Sequence, residues 1–290
     1  MSPGRFMQAL SLGLLVVSGG RALALDEGLQ GSKLLGTAGA VNIEGSGGGG
    51  LVPWAFIGGY GSDDEVAATV SASMTSVDDF GLRTTGLLVG FHNRLELSLA
   101  KQWLRVDPLA LTITQHVVGA KLRLSGDVVY GTMPQFSAGL QYKRNTEATI
   151  PYALGADDNA GVDVYLAASK VWLNALLGRN LALSATARYT EANQGGLLGF
   201  GAVGERPQLV GEASLAIFLN RYWAMGVEYR QKPDNLAGVR EHDWRDVFIG
   251  WFPSKSVSIV TAYTDLGSVA GQKQQEGLYL SVHLNTGNLK

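Results

Sequence analysis

The 290-residue chain has no cysteine. Disulfides, thiolate metal sites, thiol nucleophiles and covalent haem attachment are excluded together. Beyond residue 24 it also lacks any uncharged apolar run near the ~18 residues expected of a membrane helix, so if the chain crosses a bilayer it does so with strands. No sign of charge dominates. Residues 1–24 hold two of the 23 basic residues (Arg5 and Arg21) and none of the 25 acidic ones. The remainder is mildly acidic, which argues against nucleic acid as a partner. No Ser stands in a G-x-S-x-G elbow, and the glycine runs Gly47 to Gly50 and Gly195 to Gly201 lack the Lys-Ser/Thr ending and strand-to-helix setting of a phosphate loop.

The N-terminus has the marks of an export signal. Arg5, the apolar run Ala9 to Val17, the small residues Ser18 to Gly20 and the triplet Ala22-Leu23-Ala24 fit a signal peptide, residues 1–24, cleaved before Leu25. Residues 25–290 then read as one domain. Glycine supplies 39 residues, about twice the usual ~7%, which suits turns and bends better than helices.

From Trp54 to Leu284 apolar and polar residues alternate in stretches of eight to eleven. Leu95, Leu97 and Leu99 alternate with Glu96 and Ser98; Trp223, Met225, Val227 and Tyr229 alternate with Gly226, Glu228 and Arg230. Successive strand side chains point to opposite faces, so every such strand has one apolar side and one polar side. A bilayer leaves no backbone group unpaired, which requires the sheet to close. The pattern predicts an all-β fold, a transmembrane antiparallel up-and-down β-barrel. A soluble β-sandwich would also alternate, but its outer face would be uniformly hydrophilic.

Short connections at Phe91 to Arg94, Leu219 to Tyr222 and Phe252 to Ser256 alternate with long ones at Arg144 to Ala160, Glu191 to Pro207, Gln231 to Asp243 and Gly267 to Gln275. That alternation assigns the short turns to the periplasm and the long loops to the outside. Phe91, Tyr222, Trp223, Trp251 and Phe252 lie beside the short turns, and Trp103, Tyr142, Tyr189 and Tyr229 toward the long loops, as two aromatic girdles require. The turn Ser62 to Glu65 is then periplasmic, and parity asks for an earlier strand. Lys33 to Glu44 supplies one, giving 14 strands with Gly45 to Gly50 as an external hairpin; the alternative is 12 strands with residues 33–53 as a lumen plug.

Several segments resemble a known family. They are Lys33-Leu34-Leu35-Gly36-Thr37 through Gly49-Gly50-Leu51-Val52-Pro53-Trp54-Ala55, Ala153 to Asp158, Asn193 to Gly201, Glu228-Tyr229-Arg230 with Lys232-Pro233-Asp234-Asn235-Leu236, and Ala262 to Gly267. Together these are similar to domain of unknown function 3034, a family of proteobacterial outer-membrane proteins. The resemblance implies a barrel in the outer membrane of a Gram-negative bacterium and brings no catalytic residues. The ending Asn288-Leu289-Lys290 departs from the terminal aromatic that such barrels often use in assembly.

The polar face nominates a lumen lining in which Lys121, Arg123, Lys143, Arg188 and Arg230 are nearly balanced by Glu96, Asp163, Glu212, Glu228 and Asp246. Mixed charge can set a field across a channel or simply fill it with pairs. Lys232, Asp234, Asn235, His242 and Asp243 gather near a loop mouth as a binding site for a small polar solute or a divalent ion, since carboxylates with an amide oxygen can ligate calcium, or, alternatively, as a stiffened loop. Gly195, Gly196, Leu197, Leu198 and Phe200 form an apolar, deformable segment able to fold over the lumen as a gate. No cofactor and no resident metal are expected. The partners expected are outer-membrane lipid and a small solute. The functional expectation is a passive or gated channel for that solute; the alternative is a non-conducting scaffold barrel whose loops bind a partner, with a barrel-embedded hydrolase as the third reading.

Overall fold

A computed structural model describes residues 33–202, 206–236, 241–287 and 289; the signal-peptide segment lies outside them. Twelve antiparallel strands make one closed barrel: β1 (Val66–Ser76), β2 (Phe80–Phe91), β3 (Leu95–Val106), β4 (Leu111–Ser125), β5 (Gln135–Asn145), β6 (Ala160–Leu176), β7 (Arg179–Thr190), β8 (Gln208–Phe218), β9 (Trp223–Arg230), β10 (Trp244–Ser254), β11 (Val257–Asp265) and β12 (Glu276–Asn285). Each strand pairs with its sequence neighbours, and β1 closes on β12 from Thr69↔Asn285 to Ser76↔Leu278.

The outer face is apolar and uncovered. Leu97, Leu99, Val118, Leu140, Leu166, Val227, Val247 and Ile249 are all more than two-fifths exposed. Trp223 and Trp251, which stack at 5.8 Å, and Tyr142, Tyr189, Tyr229 and Tyr263 flank this belt. A soluble sandwich would hide such residues between two sheets. A closed sheet wearing them outside, between aromatic borders, is built for lipid, and the protein is a transmembrane β-barrel of the outer-membrane type.

The preferred count of 14 strands is corrected to 12. Lys33 to Glu44 adds no strand, and Gly45 to Gly50 forms no external hairpin; residues 33–61 lie inside the lumen as a plug, with only isolated bridges such as Val41↔Gly47 and Gly48↔Pro53. Parity is kept because this segment enters and returns at the same end, where Lys33 Nζ donates to the carbonyls of Ile57 at 2.8 Å and Gly59 at 2.9 Å. Glycine is what lets it seat. A Cβ on Gly49 would lie 1.9 Å from Glu228 Oε1, and one on Gly48 would lie 2.2 Å from the Val52 carbonyl.

Loop length alternates less strictly than expected. On the external end, 77–79 and 107–110 are short, whereas on the periplasmic end the connection 126–134 is long and is tied down by Lys170 Nζ, which donates to the carbonyls of Asp127, Tyr130 and Gly131. Phe252 points inward against Gly36 of the plug instead of joining the girdle.

Candidate functional site

The inner face of the strands carries the charges, and the plug meets them. Period two places Glu96, Lys121, Lys143, Asp163, Arg188, Glu212, Glu228, Arg230 and Asp246 inside, all buried. Arg123 is apart from them. It sits half-buried at the periplasmic rim, where it reaches Asp127 at 3.5 Å and the Gly126 carbonyl at 2.7 Å.

Five of the wall residues converge on a plug residue, Glu44. Its carboxylate pairs with Lys143, with Arg230 at 2.6 Å and with Arg188 at 3.3 Å. Asp163 lies 2.7 Å from Lys143 and 3.1 Å from Arg188, and Glu212 pairs with Arg188 and, at 3.5 Å, with Arg230. Here the wall supplies three cations and two carboxylates. The plug supplies the third carboxylate, and the count becomes even. Since an uncompensated buried charge is strongly unfavourable, Glu44 is the side chain that makes this wall compatible with the plug. It was absent from the sequence candidates. The signal was there, however: Glu44 is the one carboxylate between Lys33 and Asp63, in a segment otherwise glycine-rich and uncharged.

A second contact pairs wall charge with plug backbone. Glu96 accepts from Ser46 Oγ at 2.9 Å, from the Gly47 amide at 3.0 Å and from the Gly58 amide at 2.7 Å. Its partner Lys121, 3.0 Å away, donates to the carbonyls of Gly47 and Trp54. These wall side chains satisfy backbone groups that strand neighbours would otherwise bind, which is why the plug needs no sheet.

Residues 191–202 turn inward over the external end. Gln115 and Lys143 donate to the Gly195 carbonyl, and Asn145 donates to that of Gly196 at 2.8 Å. Gln194 Oε1 accepts from Lys232 Nζ at 2.8 Å and Trp244 Nε1 at 3.2 Å, while its Nε2 donates to the Ser268 carbonyl. Gly195 and Gly196 take φ of +66° and +95°, backbone that favours glycine. Leu197, Leu198 and Phe200 of the same loop are buried. The five gate candidates therefore lie together across the mouth.

The loop-binding candidates do not form one open site. Lys232 and Asn235 turn into the lid, Asn235 Nδ2 donating to Asn193 Oδ1 at 3.3 Å. Asp234 and His242 are exposed; Asp234 accepts from the Glu241 amide, and Asp243 accepts from the Lys232 amide and the Tyr229 hydroxyl. Burial pushes the Lys232 ammonium down to about 8 against the pull of Glu241 3.6 Å away, and burial pushes Glu241 up against the pull of Lys232. Among the described residues no three His, Asp or Glu converge on a metal position. His242 Nδ1 meets Ser268 Oγ at 2.8 Å, but Ser268 is buried, and nearby Asp265 is held by Arg245 and the Gly267 amide, so these groups make no exposed nucleophile.

Between plug tip, lid and wall lies an apolar cavity of about 40 Å³, lined by Ile43, Leu51, Leu197, Trp244, Thr264 and Tyr279 among others.

Comparison with known proteins adds the following. No curated protein matches the chain. Among solved structures it is similar to the KdgM porin, with 11% identity, 74% of this chain and 98% of that chain covered and a TM-score of 0.49. It is similar to Omp33 of Acinetobacter baumannii, with 8% identity over 78% of this chain and 100% of that one and a TM-score of 0.45. It is also similar to outer membrane phospholipase A from Escherichia coli, with 9% identity over 79% and 94% and a TM-score of 0.38. The model of the family described as protein of unknown function (DUF3034) matches residues 37–283. With the match running from the plug to the last strand, the chain belongs to that family.

Proposed function

We propose that the protein is a gated outer-membrane channel for a small polar solute, in the closed state, with residues 33–61 as the internal stopper and 193–200 as an external lid. The observation that carries this reading is the charge of the wall. A lumen meant to stay sealed is filled at least cost by apolar side chains, because buried ion pairs lose more in desolvation than hydrophobic packing of the same volume does. Lys121, Lys143, Arg188 and Arg230 facing Glu96, Asp163 and Glu212 suit a surface that meets water for part of its life. The plug is held by side chains and single bonds, not by strand pairing, so it is separable from the wall. With both signs present, an open pore would select weakly between anions and cations.

Single-channel recording in planar bilayers tests this. The wild type is expected to be mostly closed with occasional openings, and Glu44→Gln or deletion of residues 193–201 to open more often. The absence of cysteine permits a lock: Ser258 Oγ is 2.5 Å from the position of a Cβ on Gly39, so Gly39→Cys with Ser258→Cys should silence the channel when oxidised and release it when reduced. A barrel that stays silent in the wild type, in Glu44→Gln and in the deletion variant would overturn the reading and favour a scaffold whose external loops hold a partner.

A further inference from the structure

One register row of the lumen wall is left without a counter-charge. Ser214↔Glu228, Glu228↔Asp246, Asp246↔Thr264 and Thr264↔Gly277 run in line across β8 to β12, with Tyr279 two residues further on the same face of β12. Glu228 and Asp246 are therefore direct cross-strand neighbours, and opposed like charges destabilise a sheet. Glu228, Asp246, Thr264 and Tyr279 are at most 5% exposed, and Glu228 Oε1, Asp246 Oδ1, Thr264 Oγ1 and the Tyr279 hydroxyl make no hydrogen bond. Arg230, two residues along β9 from Glu228 on the same face, is engaged elsewhere. Its guanidinium binds Glu44 and the Leu51 carbonyl and lies 5.5 Å from the Trp244 ring.

The groups converge on one point beside the plug. A methyl placed on Gly50 would sit 3.3 Å from the Tyr279 ring, 3.5 Å from Glu228 Oε2 and 3.6 Å from Asp246 Oδ2. Thr264 and Tyr279 also border the 40 Å³ cavity. Two neighbouring buried carboxylates with unpartnered oxygens, and hydroxyl oxygens beside them, leave a place for a positive guest.

We propose that this row is a binding site for a hard divalent cation of the calcium type, held by Glu228 and Asp246 with hydroxyl and water oxygens, at the seam between plug and wall. Two carboxylates cancel one divalent charge. The donors are all oxygen, which suits calcium and disfavours zinc or copper, whose sites use nitrogen and sulfur. The site goes beyond the channel reading and does not depend on it.

Refolding the full mature barrel into detergent with terbium, a calcium surrogate, tests the site, because Tyr279 beside it can sensitise terbium emission. Emission excited through tyrosine should rise to saturation and be displaced by calcium. Glu228→Gln with Asp246→Asn should weaken binding at least tenfold while keeping the heat-modifiable mobility of a folded barrel; if the double variant does not fold, Asp246→Asn alone serves. Tyr279→Phe should dim the emission. Absence of saturable binding in the wild type, or equal binding in the amide variants, would overturn the proposal. So would a melting temperature indifferent to calcium but lower in alkali, which would mean that a shared proton neutralises the pair. A barrel that binds calcium yet never conducts would sink the channel reading alone.

Discussion

On the side of the lumen built by β5 to β8, and reaching Arg230 of β9, the plug offers a charged side chain, and on the side built by β9 to β12 it offers backbone and apolar side chains such as Ile43 and Leu51 but no charge. Glu44 enters the first as one carboxylate among Lys143, Arg188, Arg230, Asp163 and Glu212, and every charge there has an opposite partner. On the second, Glu228 accepts from the Leu51 amide at 2.7 Å, while one oxygen of Glu228 and one of Asp246 remain unpaired. Charge balance is what makes the first side hold the plug tightly. Close approach, permitted by glycine, is what makes the second side fit it. The same segment thus has an electrostatic anchor and a steric one, and each fails differently.

The largest effect is expected from Glu44→Gln. It leaves three buried cations facing two wall carboxylates, and removal of one partner from such a group costs about 3–5 kcal/mol. Hydrogen exchange across residues 33–61 should accelerate, with the barrel strands unaffected. Adding Lys143→Gln should restore part of the loss, since the two changes touch one network and do not add; additivity would mean that Glu44 does not balance the wall. A smaller effect is expected from Gly49→Ala. Its Cβ would fall 1.9 Å from Glu228 Oε1, so plug or carboxylate must shift, at a cost of about 1–3 kcal/mol typical of overpacking. Glu228→Ser should relieve it. If Gly49→Ala loosened the plug as much as Glu44→Gln, the distinction between the two sides would be lost.

The contrast also explains how far the sequence could be read. The inward position of Glu96, Lys143, Arg188, Glu228 and Asp246 follows from period two alone, because a strand has no freedom to turn a side chain to its other face. The strand count did not follow. Parity demands an even number of crossings, and Lys33 to Glu44 could meet it as a strand or, as it does, by entering and leaving at one end. Gly45 to Gly50 reads locally as a turn, and only wall residues far away in sequence, such as Glu96 and Lys121, turn it into an interior segment. The unpaired row at Glu228 and Asp246 was equally hidden. Both residues counted toward a balanced lumen, but balance summed over a whole barrel says nothing about which charges meet, and register decides that.

The smallest effect concerns the lid, which bridges the two sides by bonding to Lys143 and Asn145 through the Gly195 and Gly196 carbonyls and to Lys232 and Trp244 through the Gln194 side chain. Burial lowers Lys232 from 10.5 to about 8, so the docked lid favours the neutral amine, and docking should tighten as pH rises through the interval from about 8 to 10.5. Glu241 is shifted the opposite way. Burial raises it above 4.5, so its contribution is full in acid and lost as pH climbs through the raised value. The lid should therefore be loosest in the neutral window between the two titrations. Acrylamide quenching of Trp244, taken as the difference between the wild type and Trp244→Phe, should peak there by a few-fold over both extremes. Lys232→Met should abolish the alkaline fall and leave the acid one, while a flat profile in the wild type would detach the lid from these two groups.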